Sequence, residues 1–174
     1  QGIGLQFLQL FKMNKKIKIF ATHMNNTINI NGSNISKIKL DVKKDFKKIQ
    51  NIINKNSSLK IFYFISDKIY FDRKLEKKIQ KNYKKIFFDI PLMILHKIIS
   101  EKKFLFFYPS TTNIDIDKNS YYSKIKLKAE KKLKKICHRL NVPLKSFRFP
   151  ALKSRQTLSL INSNLPTFLE YMNK

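Results

Sequence analysis

Acidic residues are scarce in this chain: 11 Asp and Glu stand against 37 Lys and Arg, a formal net charge of +26, and no acid precedes Asp41. Charge alone would point to a polyanionic partner, because clustered cations gain affinity for phosphate backbones by counterion release. The lysines, however, recur in every expected helix and at strand edges, alongside abundant Asn, Ile, Phe and Tyr. A compositional origin is therefore the expectation, and nucleic acid is not the expected partner. Cys137 is the only cysteine, which excludes an internal disulfide and a multi-cysteine metal site and fits a reducing cytoplasm. It falls on the apolar side of its helix near Ile136 and Leu140, as a buried structural thiol does. His23, His96 and His138 show no ligand spacing, so no metal is expected. No apolar run reaches the roughly 18 residues a membrane span needs. The nearest, residues 86 to 99, is broken by Asp89, Pro91, His96 and Lys97. The opening Gln1-Gly2-Ile3-Gly4 has neither an initiating Met nor a signal-peptide profile, and the expectation is a chain that starts inside a longer one.

What is present suffices for a core. The 174 residues are 43% hydrophobic, with 15 Phe and 7 Tyr, a length for one domain over residues 1–150 with 151–174 as a short C-terminal segment of it. Ile3, Phe7, Leu8, Leu10 and Phe11 recur at helical spacing after Gly2 and Gly4. Residues 16–22 and 36–42 read as strands, 45–54 as an amphipathic helix, and Leu59 to Ile65 as a strand buried on both faces. Residues 75–100 are predominantly helical with Pro91 as a kink or new start. Phe104 to Phe107, Tyr121 to Leu140 and Leu144 to Phe149 follow as strand, helix and strand. This alternation indicates an α/β fold with a parallel sheet covered on both faces.

One constellation has chemical potential. Tyr122 and Lys126 lie four residues apart in Tyr122-Ser123-Lys124-Ile125-Lys126, and on a helix that spacing puts a phenol and an ammonium on one face. A fixed cation lowers a phenol's pKa from near 10 and makes it a usable acid/base. A lysine-rich chain also produces such a pair by accident. The order of the surrounding pieces resembles the short-chain dehydrogenase/reductase superfamily, which carries Tyr-x-x-x-Lys on a helix after a strand ending in Ser or Thr.

That resemblance covers about residues 1–150 and implies a Rossmann-like, doubly wound parallel sheet in three layers, lacking its first strand. The superfamily's phosphate loop reads Thr-Gly-x-x-x-Gly-x-Gly, and Gly2, Ile3 and Gly4 resemble its last part, leading into the helix whose N-terminus receives a pyrophosphate. Ala21-Thr22-His23-Met24 stands where an acid would select NAD; without one, the resemblance implies NADP, with NAD as the alternative, and His23 in the contact. Leu40-Asp41-Val42 is similar to the motif beside the adenine, with capping of the next helix as the competing role. Phe62-Tyr63-Phe64-Ile65-Ser66 departs from the Asn-Asn-Ala-Gly at that strand, where Ser66 would meet the cofactor, and the relay asparagine before Pro91 has no counterpart. Ser110, with Thr111 as the alternative, would polarise a substrate oxygen. Tyr122 would be the acid/base, and Lys126 would tune it and hold the ribose hydroxyls. Tyr122-x-x-x-Lys126-x-x-Ala129-Glu130 and Arg148-Phe149-Pro150 are similar to the sugar-nucleotide epimerase and dehydratase branch. Arg155, Gln156 and Thr157 would sit at the substrate lid.

Three functions follow as expectations. The first is an NAD(P)-dependent oxidoreductase acting on an alcohol or carbonyl of a small molecule, a sugar nucleotide among the candidates, in a homo-oligomer away from membranes. The second is a degenerate relative that binds without turnover. The third is a basic nucleic-acid-binding protein, which would show a contiguous lysine patch on one face.

Overall fold

The computed structural model describes residues 2–25, 27–67, 69, 76–97, 103–153 and 165–173. In chain order the elements are α1 (Ile3–Phe11), β1 (Ile19–His23), β2 (Ile35–Lys39), α2 (Phe46–Asn54), β3 (Ser58–Phe62), α3 (Lys77–Tyr83), a π-helical segment (Lys84–Asp89), α4 (Ile90–His96), β4 (Lys103–Thr111), α5 (Asn113–Ile116), α6 (Tyr121–Arg139), β5 (Leu144–Phe149) and α7 (Phe168–Met172). The α/β class with parallel strands is observed. Among the described residues the strands form two sheets, β1-β2 and β3-β4-β5, where one sheet was expected. No helix among them is long and apolar enough to cross a membrane.

The chain divides into two compact units, Gln1–Ile49 with Leu152–Lys174, and Gln50–Ala151. In the first, β1 and β2 run parallel with Ile19 opposite Ile35 and His23 opposite Lys39. Leu8, Ile30, Leu40, Val42, Leu152 and Phe168 are its buried apolar residues among those described. The C-terminal segment joins it through α7, which opens on a capping box in which Thr167 and Glu170 satisfy each other's backbone N–H. The Phe168 N–H donates to Gln6 Oε1 at 2.8 Å, and the Phe7 and Phe168 rings meet edge to face at 6.2 Å.

In the second unit β4 lies between β3 and β5, all parallel. Its alternation sorts the strand: Phe104, Phe106, Tyr108 and Ser110 are buried on one face. Helix α6 buries Tyr122, Ile125, Lys126, Ala129, Leu133 and Ile136, spacings of three and four that make one stripe. Ser120 caps its start by accepting from the Ser123 N–H at 3.2 Å. Asn141, at φ 51°, ends it in a Schellman turn, with Val142 N–H on the Cys137 carbonyl and Asn141 N–H on that of His138. The helical stretch expected over 75–100 is observed from Lys77 to His96 as α3, a π segment and α4, with Pro91 in the first turn of α4.

Candidate functional site

Ser110 and Thr111 end β4 at the carboxyl edge of a parallel sheet, the side on which such sheets bind ligands. Short hydroxyl links fix the turn from there into α6. Thr111 Oγ1 accepts from the Asn113 N–H at 3.2 Å, Ser123 Oγ donates to the Asn113 carbonyl at 3.0 Å, and Ser120 Oγ and Ser123 Oγ are 2.9 Å apart. Ser110 is the exception: it is buried, and its Oγ has no hydrogen-bond partner. A buried hydroxyl left unpaired is costly, about 1–3 kcal/mol, so it marks a place where a ligand oxygen would be welcomed.

Tyr122 and Lys126 do share a face of α6, and both are buried. The Tyr122 ring packs edge-on against Phe87 at 5.3 Å and Tyr83 at 5.9 Å. Lys126 Nζ donates to the Pro109 carbonyl at 2.5 Å and lies over the Tyr108 ring at 4.3 Å and the Phe87 ring at 5.1 Å. The expected tuning is reversed. Burial raises the Tyr122 pKa above the ordinary phenol value, Tyr83 adds to the rise, and a Thr111 side-chain hydrogen bond opposes it. Burial also lowers the Lys126 amine to about 7, against the pull of Glu130. The physical reason is desolvation: a sealed ammonium loses the charge with which it would have acidified its neighbour.

The other expected contacts divide by unit. Gly2 precedes α1 in extended conformation, its carbonyl accepting from the Leu5 N–H at 3.0 Å. A Cβ at Gly2 would meet nothing within 4 Å, so folding does not demand glycine there. Ile3 and Gly4 form the first turn of α1. His23 ends β1, with its Nδ1 buried and without a partner. Asp41 serves the turn before α2, Oδ1 accepting from the Lys43 N–H at 2.9 Å, while its own N–H reaches Asp45 Oδ2 at 3.0 Å; Val42 is buried. In the second unit Ser66 Oγ donates to the Asp67 carbonyl at 3.2 Å. Arg155, Gln156 and Thr157 lie outside the described residues.

Sequence reasoning missed two features. Tyr63 and Tyr108 donate to the carbonyls of Ile86 and Phe87 at 2.6 and 2.8 Å, which satisfies two carbonyls of the π segment. Both tyrosines were visible only as members of apolar runs. Arg148 clamps two carboxylates, Nε and Nη2 on Glu130 at 3.2 and 2.8 Å and Nη1 on both oxygens of Asp115 at 2.9 and 3.0 Å. This ties β5 to α5 and α6, and the Arg-Phe-Pro motif was its signal. Cys137 is buried and its thiol pKa is pushed up to about 11, as an inert thiol requires. Among the described residues no group of His, Cys, Asp and Glu could hold a metal ion.

No protein-family model matches the chain, and no curated protein matches it in sequence. Solved structures do match. A short-chain dehydrogenase from Burkholderia cenocepacia J2315 in complex with NADP superposes with a TM-score of 0.74 at 9% identity, over 98% of this chain and 75% of that one. A short-chain dehydrogenase/reductase from Vibrio parahaemolyticus gives 0.74 at 10% identity, over 99% and 87%. UDP-glucuronic acid 4-epimerase from Bacillus cereus in complex with NAD gives 0.71 at 12% identity over 88% of this chain, which spans 54% of the epimerase. The chain thus has the Rossmann-like fold seen in these dehydrogenase and epimerase structures.

Proposed function

We propose that this protein is an NAD(P)-dependent oxidoreductase of the short-chain dehydrogenase/reductase type, acting on the alcohol or carbonyl group of a small molecule such as a sugar nucleotide. The observation that carries the reading is the unpartnered Ser110 Oγ, buried at the carboxyl edge of β4 beside Thr111. The neighbours solved with NADP and with NAD support the cofactor class.

Each of the two units, taken by itself, offers groups that fit such a cofactor. Gly2 leaves open space before the unsatisfied N–H groups of the first turn of α1, including those of Ile3 and Gly4, a setting for phosphate. His23 offers a buried unpartnered nitrogen at the end of β1 with no carboxylate beside it in sequence, which favours NADP over NAD. Asp41 and Val42 would border the adenine and Ser66 the ribose side. Pro109 takes one Lys126 N–H, and a remaining N–H would reach a ribose hydroxyl. When bound, the nicotinamide supplies or accepts the hydride.

The protein's own part is proton transfer and orientation. Ser110 donates to the substrate oxygen and polarises it. In the reduction direction Tyr122, kept protonated by burial, would be the proton donor, its phenol proton passing to the oxygen that gains charge, although the same burial makes it a weaker acid than an ordinary phenol. The same burial favours the second reading, a relative that binds cofactor without turnover. Titrating NADPH by fluorescence and following its oxidation with carbonyl substrates separates the two. The enzyme reading expects saturable NADPH binding tighter than NADH binding, with turnover. Binding alone supports the second reading, and binding of neither nucleotide contradicts both.

A further inference from the structure

The folded chain sorts the charge of α6 more strictly than composition requires. Every exposed position of this helix is basic: six lysines, Arg139 and His138. Its one acid, Glu130, is turned inward and held by Arg148. Lys124, Lys128, Lys131, Lys135 and Arg139 follow one another at steps of four and three, a straight stripe about 22 Å long at 1.5 Å per residue. Helix α3 and the π segment pack beside α6, and Lys77, Lys78 and Lys81 of α3 are exposed too. None of the exposed large hydrophobic residues lies on α3, the π segment or α6.

We propose that the outer face of α6, flanked by α3, is a docking surface for the phosphate backbone of duplex nucleic acid. The charge complementarity is with a regular polyanion, since a rigid cationic stripe matches phosphates spaced along a strand. The absence of exposed aromatic or aliphatic side chains on these helices argues against base stacking and against insertion among lipid tails, both of which need an apolar surface. Binding is therefore sequence-independent and electrostatic. It is separate from the proposed oxidoreductase chemistry, whose groups lie on the buried side of α6.

The test is fluorescence anisotropy of a labelled 20-base-pair duplex across a salt series, with the unchanged chain and two variants. One replaces Lys124, Lys131, Lys132 and Lys135 by Gln. The other replaces the exposed Lys12, Lys15, Lys16 and Lys47 by Gln and so has the same net charge. With about five phosphates engaged, the log–log salt slope should be about −4 to −5. The α6 variant should bind at least tenfold more weakly, with the slope shallower by about 3, and the control should stay close to the unchanged chain. Equal losses in both variants would assign the affinity to overall composition and overturn the proposal. So would absence of duplex binding, or displacement of the duplex by phosphatidylserine vesicles at low lipid.

Discussion

The two halves of α6 bury different things. From Leu133 onward the inward positions are Leu133, Ile136 and Cys137, apolar and closely packed, each large side chain contributing about 1.5–3 kcal/mol by leaving water. The half that begins at Tyr121 buries Ile125 and Ala129 in the same way but adds Tyr122, Ser123 and Lys126, set against hydroxyls, a proline carbonyl and aromatic faces. An amine taken out of water loses stability that its partners only partly restore. Stability alone explains the second half of the helix and not the first, and the first is the half that meets the carboxyl edge of β4.

Substitutions can break that contrast, beginning with the largest expected effect on folding. Leu133→Ala should lower the unfolding free energy by about 2–5 kcal/mol in urea titrations, the range for a filled core site. NADPH affinity should be unchanged. Lys126→Met tests the other half: it should leave stability at pH 7 equal or higher while removing turnover. It should also change the pH profile. Between about 7, to which burial lowers the Lys126 amine, and its ordinary 10.5, the unfolded chain holds a proton that the folded chain lacks. Stability should therefore rise with pH across that window. Cys137, whose thiol burial pushes up to about 11, opposes the rise from about pH 9, and Tyr63, Tyr108 and Tyr122, kept protonated by burial, reverse the trend above about pH 10, where the unfolded phenols ionise first. Urea midpoints at pH 7, 8.5 and 10 should show the rise in the natural chain and lose it in Lys126→Met. The smallest effect is expected from Ser120→Ala, about 1 kcal/mol, read by thermal unfolding, through loss of the cap on the Ser123 N–H.

Much of the scaffold was legible. The apolar runs at Leu59 to Ile65 and Phe104 to Phe107 marked β3 and β4, but the expected burial of β3 on both faces is overturned, since Ser58, Lys60 and Phe62 are exposed and leave one face of that strand open. The spacing from Tyr122 to Ile136 marked the buried stripe of α6. Helix breaks were harder, because the π segment depends on hydroxyls from Tyr63 and Tyr108, residues 23 and 21 positions away from the carbonyls they satisfy. The Thr167 to Glu170 capping box of α7 was written in the sequence and went unread. At the site, spacing predicted that Tyr122 and Lys126 share a face. It could not predict how deeply they are buried, and burial decides the sign of both pKa shifts. The lysines of α6 looked evenly spread along the chain because linear order hides which of them reach one solvent face.

The central claim is that Tyr122 is the proton donor of a nucleotide-dependent reductase. Single-turnover oxidation of bound NADPH by a carbonyl substrate, in the natural chain and in Tyr122→Phe, tests it most directly. The account predicts a fall in rate of about 10²–10⁴-fold, with NADPH binding preserved in the same samples. Equal rates in the two proteins would contradict it.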